Sequence, residues 1–324
     1  MTAQASWTIP RKFCSGFYGL PPDRINALFY AVATGEYLVH GGQYYKTRSQ
    51  NLSNTLANHI KKLNGKIKYR TQVEKIIFND HNQIEGVLDQ AGKKYPAQAV
   101  IANCSVPTLI NQMIDKQQVP DTFKTQINNQ KSSLSAVNLW LGLDKKPAGY
   151  TSYSTHLSGR APAMNDFDSS NDMAESSLGI VLYDNLFNGY SMPGKATMSI
   201  VCLSDYSPWK QFETDYFNGR KDDYNKEKQR LARRFIQRVE SRLIPGLSGM
   251  IEEMEMGTPL TNVYYTKNPA GSIYGFDHDK PHLKAETPIK GLYLASAWSH
   301  GGGYTPVMMA GRDAAKMVLK KQFV

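Results

Sequence analysis

The residues from Gly291 to Ala315 read Gly-Leu-Tyr-Leu-Ala-Ser-Ala-Trp-Ser-His-Gly-Gly-Gly-Tyr-Thr-Pro-Val-Met-Met-Ala-Gly-Arg-Asp-Ala-Ala, the densest grouping of chemically useful positions in the chain. Apolar Leu292–Ala295 predicts a strand, Gly301, Gly302 and Gly303 a turn, and Thr305 with Pro306 the cap and first residue of a helix. A helix that starts beside a glycine turn leaves N–H groups unpaired and carries a partial positive charge. It therefore suits a phosphate or the electron-rich edge of a reduced flavin. Small Ala310 and Gly311 let that helix lie close to a neighbouring backbone. His300-Gly301-Gly302-Gly303 also matches the oxyanion hole of lipase-like esterases, but those enzymes need a Gly-x-Ser-x-Gly elbow and this sequence has none. The plainer alternative is a turn whose glycines serve tight geometry alone.

Other candidates are thinner. Asp277-His278-Asp279 and His282 have metal-ligand residue types, yet Pro281 interrupts the helical spacing, and a loop is the better expectation. Tyr44-Tyr45, Tyr264-Tyr265 and Tyr274 could line an apolar channel or simply pack a core. Glu252, Glu253 and Glu255 alternate with Met254 and Met256 and read as the outer face of a strand rather than a paired acid and base. His40 and His300 each follow an apolar, strand-like run into glycines, without an identifiable partner. No catalytic residue can be assigned.

Several elements must position these groups. A short buried helix is expected over Arg24–Ala33, ended by Gly35, and an amphipathic one after Ser49 with Leu52, Leu56, Ile60 and Leu63 on one face, closing on Asn64-Gly65. Lys66–Arg70, Val73–Phe78, Gln83–Leu88 and Gln98–Asn103 read as a β-meander, with turn chemistry between the later runs. Further strands are expected near Ser133–Leu143, Leu178–Tyr183 and Thr197–Leu203, with a polar loop over Ser158–Ser177. A long helix from about Tyr224 to Leu243 places Leu231, Phe235, Val239 and Leu243 on one face and Arg230, Arg233, Arg234, Arg238 and Arg242 elsewhere, as a solvated face or a surface for anionic lipid.

Composition narrows the class. At 324 residues with 41% hydrophobic and 20% charged residues, the chain can bury one large or two ordinary cores, which excludes disorder as its main state. The net charge of +10 is spread along the length and selects no partner; nucleic acid is not expected, because no reading motif accompanies it. The longest apolar run, Ala27–Ala33, is far short of the roughly 18 residues of a spanning helix, and no secretory leader is read in the first twenty residues. Cys14, Cys104 and Cys202 are too few and too far apart for a disulfide framework. A cytoplasmic location is expected, or one peripheral to a membrane.

The 291–315 run resembles the C-terminal flavin-binding signature of the phytoene desaturase, carotenoid isomerase and retinol saturase family of FAD-dependent oxidoreductases. Tyr37–Gly42 with Arg48–Ser53, Thr71–Ile76 with Ile84–Val87 and Ala99–Asn103, Thr258–Thr261, and Asn268–Gly275 are similar to further stretches of that family. The likeness is weakest between Lys145 and Lys195. It implies an α/β fold with α+β character: a partial FAD/NAD(P)-binding Rossmann-like domain of the two-domain flavin oxidoreductases, and a substrate domain of antiparallel sheet plus helices. Residues 1–38 would give a substrate-domain helix, 39–104 the first cofactor part, 105–287 the substrate domain, and 288–324 the closing strand-turn-helix.

The resemblance also implies site residues. The helix start at Gly303, Tyr304, Thr305, Pro306, Val307 and Met308 would meet the pyrimidine edge of the isoalloxazine, and Val73 the adenine through its backbone. Gly41 and Gly42 would let the chain pass close to the ring system, with Ala102, Asn103, Ser296 and Ala297 completing the site. No ribityl-binding carboxylate is implied, since Ser296 and Ala297 stand where many relatives carry an acid. The departure is equally specific: the Gly-x-Gly-x-x-Gly diphosphate cradle is nowhere in the sequence. FAD is thus expected to be held weakly by this chain alone, or with a Rossmann-domain partner chain supplying that motif. The implied reaction is flavin redox chemistry on an apolar polyene isoprenoid, by an incomplete or split enzyme. The alternative is a non-catalytic truncated relative that binds an apolar ligand or a membrane surface.

Overall fold

A computed structural model describes residues 18–20, 24–41, 44–45, 48–159 and 172–322. Its contacts fall into two compact units, Met1–Leu52 with Leu134–Thr266 and Ser53–Ser133 with Lys267–Val324. These boundaries lie between residues 52 and 53, 133 and 134, and 266 and 267, where the sequence reading set them after residues 38, 104 and 287. Gly42 and Cys14 lie outside the described residues.

The first unit is organised by period-two patterning. Strands β5 (Ser135–Leu143), β6 (Ser154–Leu157), β7 (Leu178–Leu182), β8 (Ala196–Ser204) and β9 (Ile251–Gly257) form an antiparallel sheet in the order β6-β7-β8-β5-β9. Val137, Leu139, Leu141 and Leu143 alternate toward one face and are buried, whereas Trp140 between them is half exposed. The buried row joins Ile180, Met198 and Ile200 and the Leu231, Phe235 and Val239 stripe of a long helix, Asp222–Arg242, in one core. Each such side chain stabilises the unit by about 1.5–3 kcal/mol when taken from water.

That helix matches expectation within two residues, and its basic side chains have partners inside the unit. Arg230 pairs with Glu227 and Asp172, Arg234 with Glu175, Arg238 donates to the carbonyls of Ala174 and Ser176, and Arg242 donates to that of Ser158. The glutamates of β9 do not share one face, because Glu253 stands opposite Gly142 and Glu255 opposite Trp140 while Glu252 lies on the alternate side and pairs with Lys195. An edge strand exposes side chains on both faces, so Glu252 stays wet there.

The N-terminal helix α1 (Ala27–His40) departs from expectation twice. It runs through Gly35 and ends only at Gly41, whose φ of 71° and N–H to the Tyr37 carbonyl make the terminal turn. A single interior glycine costs only about 1 kcal/mol, too little to stop it. No residue of α1 is buried: Leu28, Val32, Leu38 and Val39 are all more than half exposed. His40 is therefore helical, not in a strand, and faces Glu36 at 3.5 Å. Helix α2 (Ser49–Lys62) closes as expected, with Asn64 at φ 62° and the Gly65 N–H on the Ile60 carbonyl.

The second unit holds the meander β1 (Val73–Phe78), β2 (Ile84–Asp89) and β3 (Lys94–Pro96). Lys66–Arg70 is irregular rather than a strand. The segment read as the meander's fourth strand is instead β4 (Val100–Ala102), which pairs in parallel with β10 (Leu292–Leu294). Neighbouring strands in sequence pair antiparallel through tight turns, but β4 and β10 are almost two hundred residues apart, a pairing local patterning cannot reveal. Leu292 and Leu294 enter the core with Ile76, Phe123, Ile127 and Trp298, while Tyr293 and Ala295 meet Ala310 and Ala314 of the last helix. Strand β10 is thus covered on both faces, as parallel strands require, whereas Ile101 of β4 stays 45% exposed.

Candidate functional site

The 291–315 run folds as strand, short helix, glycine turn and long helix. After β10, Ser296 caps a single helical turn, Ala297–His300, that sequence reading did not separate from the glycine turn. Ser299 Oγ accepts the Ser296 N–H at 3.3 Å, a capping-box contact, but the Ser296 hydroxyl is buried and makes no hydrogen bond to the described residues. Gly301 and Gly303 follow with φ of 89° and 111°, and the long helix begins at Tyr304, not at the expected Pro306, running to Gln322. Thr305 and Pro306 therefore lie inside its first turn.

The three glycines are not equivalent. A Cβ at Gly301 would stand 2.7 Å from His282 Cε1, and one at Gly302 2.7 Å from the Tyr274 ring and 3.0 Å from its Cα, so both are required by the segment packed beneath them. At Gly303 a Cβ would meet only Pro306 Cδ, at 3.6 Å, and Gly303, Tyr304, Thr305 and Met308 are exposed. The turn is held from below and open above.

What holds it is a cluster that reading along the chain left as a plain loop. The rings of His278 and His282 lie 5.5 Å apart and Tyr274 lies 5.8 Å from His278. Gly275 passes so close under Ala297 that a Cβ there would meet its carbonyl oxygen at 2.7 Å. Burial, with His282 as the lesser cause, pushes His278 down to about 4, and burial also lowers His282 and His300, which in turn faces the Asp313 carboxylate at 3.9 Å and Ser299 Oγ at 3.0 Å. Burial raises the Tyr274 hydroxyl to about 12. The loop is uncharged near neutral pH at its buried members. The signal for it was the Gly301-Gly302 doublet, which demands a closely packed neighbour.

Of the expected residues, the second unit brings together Ser296 and Ala297 at the carboxyl end of β10, Ala102 and Asn103 at that of β4, and Gly303 to Met308 beyond the glycine turn. The Ala295 N–H donates to the Ala102 carbonyl, joining the two strand ends. Val73 opens β1, opposite Asp89, in the same unit. Gly41 belongs to the other unit. Of the tyrosines, Tyr44 sits in an aromatic cluster with Tyr153, Tyr183 and Phe187 at 6.0–6.5 Å, and Tyr265 is mostly exposed. A cleft of about 430 Å³ in the second unit, lined by Phe123, His282, Leu283 and Glu286 among others, includes none of the expected residues.

Residues 3–319 match the family described as flavin containing amine oxidoreductase. The chain belongs to that family. Its curated relatives include the all-trans-retinol 13,14-reductase of Danio rerio, 24% identical over 87% of this chain and 50% of that protein, and the chloroplastic prolycopene isomerase of Arabidopsis thaliana, 23% identical over 84% and 45%. Among solved structures, an oxidoreductase from Methanosarcina mazei superposes with a TM-score of 0.65 at 14% identity, covering 96% of this chain and 65% of that one. The family expected from the 291–315 run is thus the family found, and the α/β architecture with a separate antiparallel sheet is its fold. The chain spans about half the length of the curated relatives it matches. Membership implies a flavin. The geometry fits its ring edge: an open glycine turn, an exposed first helical turn and a buried, unpaired Ser296 hydroxyl stand at the carboxyl ends of two parallel strands, where α/β sheets bind ligands. The diphosphate half has no glycine-rich cradle in this sequence.

Proposed function

We propose that this chain is the ring-binding part of an FAD-dependent oxidoreductase that acts on an apolar polyene isoprenoid. The observation that carries the reading is the glycine turn, closed beneath by Tyr274 and His282 and open above at Gly303, next to the unpaired Ser296 hydroxyl. When bound, the flavin would supply hydride or electron exchange with a conjugated chain. The positive end of the helix that starts at Tyr304 would stabilise charge on its pyrimidine edge, since a helix N-terminus favours an electron-rich group, whereas the Val307 N–H expected to take part already donates to the Gly303 carbonyl. Ser296, Ala297, Ala102 and Asn103 would border the same edge, and Val73 would meet the adenine through its backbone. The small side chains at Ala297 and Gly303 allow close approach. No side chain is assigned a proton-transfer role, and a hydride acceptor bound in a dry site needs none for positioning. The names of the relatives, a retinol reductase and a prolycopene isomerase, support an apolar conjugated substrate.

The test is flavin binding by the purified chain, alone and with a recombinant βαβ unit carrying Gly-x-Gly-x-x-Gly. The reading expects weak or no retention of FAD alone and a yellow complex with the unit. A colourless mixture at saturating FAD would defeat it. A second reading, a non-catalytic relative that binds an apolar ligand or a membrane surface, draws on the exposed Leu28, Val32, Leu38 and Val39 of α1. Sedimentation with vesicles at low salt separates the two, because only the second reading expects binding without any flavin dependence. No helix among the described residues is long and apolar enough to cross a membrane.

A further inference from the structure

We infer that His278 and His282 are positioning residues of the candidate site: as a pair of neutral rings beneath Gly301 they hold the glycine turn in the shape that receives the flavin ring edge, and a proton on either ring spreads that turn. The inference rests on the flavin reading above and adds what regulates the same site. A Cβ built on Gly301 would stand 2.7 Å from His282 Cε1, 3.2 Å from His278 Cε1 and 3.3 Å from His282 Nε2, so both rings press on one Cα. Tyr274 does the same under Gly302 and lies 5.8 Å from His278, which in turn lies 5.5 Å from His282. A backbone hydrogen bond with His300 ties the His282 ring to the residue just before the turn. The three rings form a closely packed floor, and close packing transmits a change of spacing to whatever lies above.

The floor is itself anchored. The Ser272 hydroxyl donates to the Gly275 carbonyl at 2.7 Å, the Ser133 N–H donates to the same carbonyl at 2.9 Å, and Ser133 Oγ accepts the Tyr274 N–H at 3.0 Å. The Asp277 N–H donates to the Lys131 carbonyl. The turn above has glycines at positive φ at both 301 and 303, the most permissive backbone available, so a force between floor and turn moves the turn. The groups that act on the pair supply that force. His282 acts on His278 and His300 acts on His282, so a proton on one ring repels a proton on the next. The Asp313 carboxylate faces His300, at 3.9 Å, and is itself held by Arg312 at 2.9 Å, with Lys316 also acting on it. Burial keeps Tyr274 neutral, Asp277 and Asp279 flank His278 along the loop, and Lys284 and Glu286 share a cleft with His282. His278 is 2% exposed and is pushed down to about 4, whereas His282 keeps an exposed edge, so His282 takes the first proton.

The experiment is nuclear magnetic resonance on the full chain, without flavin, from about pH 7.5 down to about pH 4.5. It follows the Cε1–H signals of His278, His282 and His300 together with the exchange protection of the Gly301 amide, which donates to the Ala297 carbonyl at 2.9 Å. Protection at Gly301 should fall at least about tenfold with the midpoint of His282, below the ordinary histidine value, while the Gly219 amide, bonded to the Tyr216 carbonyl in the first unit, keeps its own. His282→Phe keeps a ring without a proton site, and His282→Gln keeps a neutral polar side chain should the first variant not fold. Each should leave Gly301 protected near neutral pH and remove the acid step. A Gly301 amide that stays protected while His282 titrates overturns the inference. So does one that loses protection only together with Gly219, or a step that persists in both variants. The flavin reading is scored separately, by the colour of the chain mixed with the βαβ unit: a colourless mixture with the step present defeats that reading and keeps the histidine floor, while a yellow mixture with the step absent does the reverse.

Discussion

The two units solve the burial problem in opposite ways. In the first, the inward positions of β5 and β8 share one buried core with the Phe235 stripe, and the arginines around it are paired with their own surroundings. In the second, a three-residue parallel pair carries a glycine turn whose lower side is packed against Tyr274 and His282 and whose upper side, with Tyr304 and Met308, is open. A sheet that completes its own core is a scaffold. A turn whose outer side is open beside a buried hydroxyl with no hydrogen-bond partner among the described residues is suited to be a receptor, because such a group is costly unless something arrives to pair it.

That contrast can be broken at four points. The largest expected effect is in the scaffold: Phe235→Ala, at a fully buried position, should cost about 3–5 kcal/mol in urea unfolding, and a loss under about 1 kcal/mol would mean the first unit is not closed on that stripe. Next is acid sensitivity under the glycine turn. His278 is held neutral by burial, so it binds protons more readily unfolded than folded; its contribution is complete above about pH 6.5 and fades as pH falls toward 4, about 3 kcal/mol in all. His278→Gln should flatten that slope, and a variant with the parent's pH profile would show that the loop is not buried as described. Third, Gly275→Ala should cost about 1–3 kcal/mol, since φ is 83° and the new methyl would strike the Ala297 carbonyl. An unchanged melting temperature would show that the segment under the turn can yield. The smallest effect is at Ser296→Ala, which removes no existing hydrogen bond and should shift stability by less than about 0.5 kcal/mol while weakening flavin retention several-fold in the complexed protein. Equal flavin retention there would remove Ser296 from the ring edge.

Much of the first unit was legible along the chain. The alternation of β5, β7 and β8 and the four-residue spacing of Leu231, Phe235 and Val239 are local, and the structure keeps them. The errors cluster where a neighbour decides. Gly35 reads as a stop, but its helix continues because one glycine is cheap. Leu28 and Val32 read as buried, yet nothing in the described residues covers them. At the candidate site the glycines and the helix after them were readable, but the helix starts two residues before the expected Pro306 and the short Ala297–His300 turn was not read. A single helical turn has no period to detect.

The order of residue types along the chain by itself determined the family, the glycine turn and the helix that follows, because backbone freedom and helix ends are properties of a few adjacent residues. Tertiary structure alone decided that β4 runs parallel to β10, that Tyr274, His278 and His282 lie beneath Gly301 and Gly302, and that Ile101 faces outward. Each of those facts joins segments many residues apart, and what fixes such a meeting is the burial each segment gains from the other.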